Sequence, residues 1–445
     1  MNMTRKRLVI ALLCWVWLPA GTAFALDARQ NIERAVTLIE AKEYNLARIY
    51  LAPALIAPTL NSGERARAYY LRGFSFMAQN MPVSARKDYN RALEFNPNNP
   101  VVLLELGRLH GAGQGTIKDE AVALSFFERA ASLGYDRANF HLGRAYLYGH
   151  GVEKNIEAAR TALLTAAQQD HLFSMMLLAS SYRMQHVTDP QPELALAWYD
   201  KAHAAGAPAA LLSMGFMYAN GEMGEQDPAK AASLYQQSLD EGFTPAAVHL
   251  AYAYLTGSGV AESPDTALKL YNQAAAEGIA DSFVGLGHLY EYGLGVQKDL
   301  AQAQTWYEKG ATAGDEDAMR RLVSFFLRQD TSDARAQALK WSSMAANTGS
   351  AQSRNDYAWL LATSKFEGLR NGTLAVDQAS KAVEAAPTAA FLDTLAAAYA
   401  ELGNFELAVS TQRQAIASIA DDEDELVEQL EERLRLYERS QPWRE

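Results

Sequence analysis

The sequence predicts an all-α fold, a right-handed α/α solenoid of stacked antiparallel helix pairs, from three observations. Ala123, Ala159, Ala195, Ala231, Ala267 and Ala303 recur at 36-residue steps. Gly206, Gly242, Gly278 and Gly314 form a parallel column, preceded by Gly134, in which Asp170 is the exception. Tyr146, Tyr182, Tyr218, Tyr254 and Tyr290 form a third, continued by Phe326. A period in this range means that each unit is a helical hairpin unable to bury its apolar face alone, so that stacking makes the core. Roughly ten to twelve helix pairs are expected for a chain of this length.

Residues 1–25 read as a cleaved signal peptide. Arg5, Lys6 and Arg7 supply the positive start, Leu8 to Leu18 a short apolar core, and Ala23-Phe24-Ala25 a small-x-small cleavage site before Leu26. The apolar run is short for a membrane span and ends at Pro19. Cys14, the one cysteine of the 445 residues, lies inside this segment, and Leu12-Leu13 before it do not fit a lipoprotein signal. The mature protein is expected to be periplasmic or secreted, without disulfides and without membrane insertion.

Residues 26–100 form an N-terminal region. Ala35, Leu38, Ile39, Tyr44, Ala47 and Tyr50 suit one helix pair, and Leu71, Gly73, Ala85, Tyr89, Ala92 and Pro97 a second. Residues 101–348 hold the 36-residue repeats. In 282–317, Phe283, Leu286, Leu289 and Tyr290 have helical spacing, and Gly293 and Gly295 supply the positive φ of a tight turn. Lys298-Asp299 opens a second helix bearing Ala303, Trp306, Tyr307 and Gly310, and Gly314 ends it. Small residues at Gly287, Ala303 and Gly310 are expected to bring the helices of a pair together. Tyr290, Trp306 and Tyr307 are expected to fill the space toward the next pair. Residues 349–420 return to the looser pattern, with Tyr357-Ala358-Trp359-Leu360-Leu361-Ala362 and then Leu395, Tyr399, Gly403, Phe405, Ala408 and Ala415. Residues 421–445 read as a capping helix and tail, with Leu426, Leu430, Leu434 and Tyr437 on one side.

The central pattern resembles the Sel1-like repeat family. Its AxxxLGxxYxxGxGVxxD run appears as Ala138, Leu142-Gly143, Tyr146, Gly149, Gly151-Val152, and as Ala246, Leu250, Tyr254, Gly257, Gly259-Val260. It returns as Leu286-Gly287, Tyr290, Gly293, Gly295-Val296, Asp299, while the intervening repeat keeps Gly215 and Tyr218. The two flanks resemble tetratricopeptide repeats. The resemblance implies a scaffold for protein–protein contacts, in roles such as assembly of polysaccharide secretion machinery or host interaction. Cysteine-rich members of the family are linked to penicillin binding and weak β-lactam hydrolysis, but they carry a cysteine pair in each repeat and this chain does not.

The charge balance is −12, and losing the three cations of the leader leaves 37 basic against 52 acidic residues, −15. Such a chain is a poor match for nucleic acid or an anionic membrane and favours basic partners. With Cys14 removed, thiol catalysis has no residue to use. No GxSxG, HExxH or Walker loop is present, and the Gly-x-Gly turns at 149–151, 257–259 and 293–295 recur in phase as helix–helix turns. His171, Met175, Met176, Met184 and His186 define no metal geometry, and the methionines suit core packing instead. The sequence implies no cofactor and no catalytic residue.

The expectation is therefore an exported, non-catalytic, protein-binding scaffold of the bacterial cell envelope. The alternatives are a secreted factor binding a host or extracellular protein and, further off, an enzyme that binds cell-wall fragments or β-lactams. The repeat at 174–209 has lost its turn glycines to Gln185 and Val187, and the next turn reads Gly221-Glu222-Met223-Gly224-Glu225. His186, Glu222 and Met223 accordingly mark a candidate partner-docking edge, since irregular turns of a solenoid collect binding functions. Tyr292, Trp341 and Trp443 fall outside the aromatic columns and are further candidates for exposed contacts.

Overall fold

The computed structural model describes residues 27–183, 190–329, 331–419 and 424–445. Among them the fold is an all-α solenoid of 23 α-helices with no strand. The chain divides into two compact units, with the division after Ala210.

The first unit contains α1 (Ala28–Glu40), α2 (Tyr44–Ile56), α3 (Ser62–Met77), α4 (Pro82–Phe95), α5 (Pro100–Ala112), α6 (Glu120–Ser132), α7 (Arg137–Tyr148), α8 (Ile156–Ala167), α9 (Leu172–Arg183) and α10 (Pro192–Ala204). Each helix packs on its neighbours in the chain. The core is a succession of clusters, one around Ile32, Leu51 and Leu55, the next around Tyr89 and Leu106, the next around Leu103, Phe127 and Leu142. That is how a stack of hairpins must bury its apolar surface, since no single centre exists.

Helix α11 (Ala209–Ala219) spans the division. The second unit continues with α12 (Pro228–Asp240), α13 (Ala246–Thr256), α14 (Pro264–Ala276), α15 (Ala280–Tyr292), α16 (Leu300–Thr312), α17 (Glu316–Leu327), α18 (Ser332–Asn347), α19 (Ala351–Thr363), α20 (Gly372–Ala385), α21 (Ala389–Glu401), α22 (Phe405–Ala417) and α23 (Asp424–Glu438). A short 3₁₀ turn, Glu367–Leu369, precedes α20. Its clusters likewise run along the chain, from Ala231 and Leu250 to Ala396 and Tyr437.

The sequence columns have physical roles. All six column alanines are at most 3% exposed. The column glycines that end the second helices have φ between 76° and 95°, and Asp170, the exception in sequence, adopts φ 56°. Aspartate tolerates this left-handed conformation, so the column is conformational and glycine is its commonest occupant.

The aromatic columns do more than expected. Tyr307 shares a buried cluster with Ala318, Leu322 and Phe326 of the next pair, and it also packs within its own pair. A Cβ on Gly287 would lie 2.4 Å from its Cε1 atom, so the ring fills the space that the missing side chain leaves inside its own pair. Phe127 on Gly107 and Tyr235 on Gly215 repeat the arrangement. Gly310 in turn faces Ala318 of the following helix, where an added Cβ would approach to 2.8 Å. Trp306 is half-buried, stacked on Phe283 with ring centroids 6.0 Å apart and covered by the Lys309 ammonium at 3.8 Å. Trp198 is also half-buried and has Lys201 at 4.0 Å.

A recurring backbone bond closes each repeat. The residue that caps the second helix donates its N–H to the carbonyl of the column aromatic nine residues earlier. The pairs are Asn155 to Tyr146 (2.8 Å), Gln191 to Tyr182 (2.9 Å), Asp227 to Tyr218 (2.9 Å), Ser263 to Tyr254 (2.7 Å) and Asp299 to Tyr290 (2.9 Å). The side chains of Asn155, Asp227, Ser263 and Asp299 then accept from the first-turn amides. These caps satisfy donors that a helix start otherwise leaves bare.

The second glycine of each Gly-x-Gly turn makes a contact that periodicity does not announce. A Cβ on Gly259 would fall 2.0 Å from the Pro228 carbonyl oxygen, and one on Gly151 would fall 2.4 Å from that of Glu120. The turn of one repeat thus rests on the helix start of the repeat before it, at a distance only glycine permits.

Candidate functional site

In the second unit, α17, α19, α21 and α23 converge on a cavity of about 480 Å³. These are the first helices of successive pairs together with the last helix, and α18 adds Ser342 and Ala345. The walls are apolar at Val323, Leu426 and Leu430 and aromatic at Trp359. One end is built around Asp393, which is 6% exposed. Its carboxylate accepts from Gln412 Nε2 at 2.8 Å and Arg433 Nη1 at 2.7 Å. Burial pushes this carboxyl upward, while Arg433 and Gln412 pull it back toward ionisation. The Arg433 guanidinium lies 5.1 Å from the Trp359 ring centroid and 5.3 Å from that of Trp443.

The tail holds this end in place. Glu445 donates its backbone N–H to the Thr363 carbonyl and accepts from the Lys365 N–H, each at 2.8 Å. Its side chain accepts from Trp359 Nε1 at 2.6 Å, and Arg444 pairs with Glu401 at 2.5 Å. Trp443 is therefore half-buried against the C-terminal core, and Trp341, 4% exposed, is core outright. Of the three off-column aromatics, Tyr292 alone is exposed, with its ring 4.7 Å from that of His288.

The lining along α17 and α19 is also polar. Ser353 donates to the Glu316 carboxylate. Asn355 is 8% exposed, and its Oδ1 has no partner among the described residues. Arg320 pairs with Asp317 at 3.3 Å, and the Asp356 carboxylate accepts from Gln352 at 2.7 Å. The lining includes neither histidine nor cysteine. Amide, hydroxyl and charged groups set between apolar walls suit an extended polypeptide segment, which offers backbone donors and acceptors at short intervals.

The expected docking edge is placed in part. His186 lies outside the described residues, as do Met184, the signal segment with Cys14, and residues 420–423. Glu222 and Met223 sit half-buried in the turn after α11, where the Glu222 N–H donates to the Met217 carbonyl at 2.9 Å. The repeat positions Gly143, Tyr146, Gly149, Gly151, Gly215, Tyr218, Tyr254, Gly257, Gly259, Gly287, Tyr290, Gly293 and Gly295 all lie in helix contacts or turns. Met175 is buried, and His171 uses its Nδ1 locally on Ser174 at 2.7 Å. No group of three or more His, Cys, Asp or Glu residues is placed to hold a metal ion among the described residues. Sequence periodicity did not single out Asn355, Asp393 or Arg433. They lie in the degenerate C-terminal pairs, and the signal open to a reader was polar residues at helix positions that packing would fill with apolar ones.

Six segments, residues 100–135, 136–171, 173–206, 208–243, 244–279 and 284–315, match the Sel1 repeat, and residues 66–99 match the tetratricopeptide repeat. The chain is a Sel1-like repeat protein. A protective antigen of uropathogenic Escherichia coli with an SLR fold is 23% identical, with 94% of this chain and 93% of that chain covered and a TM-score of 0.50. A Sel1 repeat protein of Oxalobacter formigenes is 27% identical over 54% of this chain and 96% of that one, TM-score 0.46. Yeast Tom70 is 14% identical over 93% and 95%, TM-score 0.45. The likeness to the Escherichia coli antigen is one of fold. Repeats of these families generally mediate protein–protein binding. No helix among the described residues is long and apolar enough to cross a membrane.

Proposed function

We propose that this protein is an exported, non-catalytic scaffold of the bacterial cell envelope that holds an extended segment of a partner protein in the groove of its second unit. The groove carries the reading. It combines an ion pair braced by two tryptophans, an amide with an unpartnered oxygen and apolar walls. Export rests on the leader pattern, Arg5-Lys6-Arg7 followed by an apolar run and Ala23-Phe24-Ala25.

Photocrosslinking in native cells tests it. A crosslinkable residue at Gln429 or Asp356, both at the groove, should capture a reproducible envelope protein, and one at Lys269 on α14 should not. Capture at all three positions alike, or at none, would overturn the groove reading. N-terminal sequencing of protein from the periplasmic fraction should begin at Leu26. Full-length protein retained with the cytoplasm would overturn export.

A further inference from the structure

The first unit contains a separate cavity of about 370 Å³ between α5 and α7, floored by α6. Missing side chains create it. Gly111 and Ala112 line it on α5, whereas the same positions one repeat on are Leu147, 2% exposed, and Tyr148. Phe127 lies over Gly107 at the back, and the His141 ring stacks on Phe127 with centroids 4.7 Å apart and planes 17° from parallel. His141 has no hydrogen-bond partner among the described residues, so its polar edge is available to a ligand.

The rim is basic, on a chain whose overall balance is strongly acidic. Arg108, Lys118 and Arg144 line it against one carboxylate, Glu120. Glu120 is already engaged, with Lys118 at 2.8 Å and His150 at 3.3 Å. Arg108 is exposed and shares Glu105 at 3.2 Å. Arg144 is exposed and has no ion pair or hydrogen bond among the described residues. Its guanidinium sits over the edge of Phe140 at 5.9 Å. Arg72, Arg108 and Arg144 stand 36 residues apart, at one position of successive repeats. Arg72 is consumed by Asp88 through two bonds of 2.7 Å. The column then changes to Ser180 and Phe216, so the two arginines that remain for a ligand are those flanking the cavity.

We infer that this cavity is a docking site for an acidic peptide segment, one of whose carboxylates is held by Arg144 and Arg108 above the Phe127–His141 floor. Planar guanidinium groups match a carboxylate through paired hydrogen bonds. The recess opened at Gly111 admits a side chain, and the stacked rings present it an apolar surface with one polar edge. The site does not depend on the groove of the second unit, and either can fail alone.

Binding of a fluorescein-labelled hexaglutamate peptide to the full chain, followed by anisotropy at low salt, tests the inference. The parent should bind hexaglutamate and not hexaglutamine. Arg144→Ala should weaken binding about tenfold or more, since a hydrogen bond to a charged group is lost. Gly111→Leu restores the bulk that Leu147 supplies one repeat later and should weaken it at least as much. A Cβ at Gly111 meets Ala123 only at 3.4 Å, so this variant retains room to fold, which circular dichroism would verify. Equal binding of hexaglutamate and hexaglutamine, or undiminished binding by folded Gly111→Leu, would overturn the site. Displacement of the peptide by equimolar inorganic phosphate would also overturn it, in favour of a small-anion site.

Discussion

The ring of Tyr307 occupies the side-chain space of Gly287, and its hydroxyl donates to Glu291 Oε2 at 2.7 Å on the same helix as that glycine. Glu291 also accepts from Arg328. One aromatic therefore sets the spacing of α15 and α16 and ties them to the start of the following turn. Gly287→Leu should cost about 1–3 kcal/mol or more through overpacking against a ring that is 0% exposed. Chemical denaturation measures it, and a variant as stable as the parent would mean that the two helices slide apart freely.

Tyr307→Phe isolates the hydroxyl. Removing the donor leaves Glu291, 8% exposed, with less support, and a loss of about 1–3 kcal/mol is expected. In the parent, burial, and after it the adjacent Glu291, holds the Tyr307 phenol above its ordinary ionisation range. Ultraviolet titration of parent and variant should differ only among the late-ionising phenols, which include Tyr89 and Tyr437.

Gly259 and Gly278 separate two roles of glycine. Both have positive φ, 75° and 78°. A Cβ at Gly278 meets open space, whereas one at Gly259 strikes the Pro228 carbonyl. Gly278→Ala should cost about 1–2 kcal/mol, the penalty of left-handed backbone alone. Gly259→Ala should cost distinctly more, and equal melting temperatures would remove the contact between repeats.

Arg433 has a side chain only 15% exposed, and its partner Asp393 is more buried still. Arg433→Ala should destabilise the second unit by about 3–5 kcal/mol, because a buried carboxylate loses its cation. Adding Asp393→Leu should recover part of that loss in a double-mutant cycle. No recovery would show that Arg433 acts by packing on Trp359 and Trp443.

His141 is predicted to titrate far below a free imidazole. Burial, then the neighbouring Arg108, Arg144 and His171, press its pKa down to about 4. In the unfolded chain the ring protonates near pH ~6.5. Between these values the unfolded state binds more protons, so this residue's contribution to stability rises with pH through that window and is lost as pH falls through it. NMR titration of the His141 ring checks the first statement, and stability of His141→Phe against pH checks the second. A ring titrating near its ordinary value would contradict both.

Much of the fold was legible in the chain because stacking imposes the same steric demand every 36 residues. The alanines, turn glycines and capping Asp and Asn residues answer that demand locally, so they show as columns. Asp170 was read as an exception because identity changed while the backbone angle did not. The packing of Tyr307 on Gly287 was not legible because ring orientation depends on the partner helix, which periodicity does not reveal. The register across 174–209, where Gln185 and Val187 replace glycines, was legible but unexplained until the Tyr182–Gln191 bond gave the reason. The two cavities were hidden for a common cause. Each arises where side chains depart from the repeat, at Gly111 and Ala112 in one unit and at Asp393 and Arg433 in the other. A single sequence displays such departures as noise.

The bond from the capping residue back to the aromatic carbonyl separates what a repeat must keep from what it is at liberty to vary. Tyr182 and Gln191 are joined at 2.9 Å whatever connects them. Each turn is thereby a cassette with fixed ends, whose contents differ among repeats, as at 185–192 and 221–225, while the columns on either side stay in step. A family built this way acquires new specificities by editing its connections one at a time, without renegotiating its core.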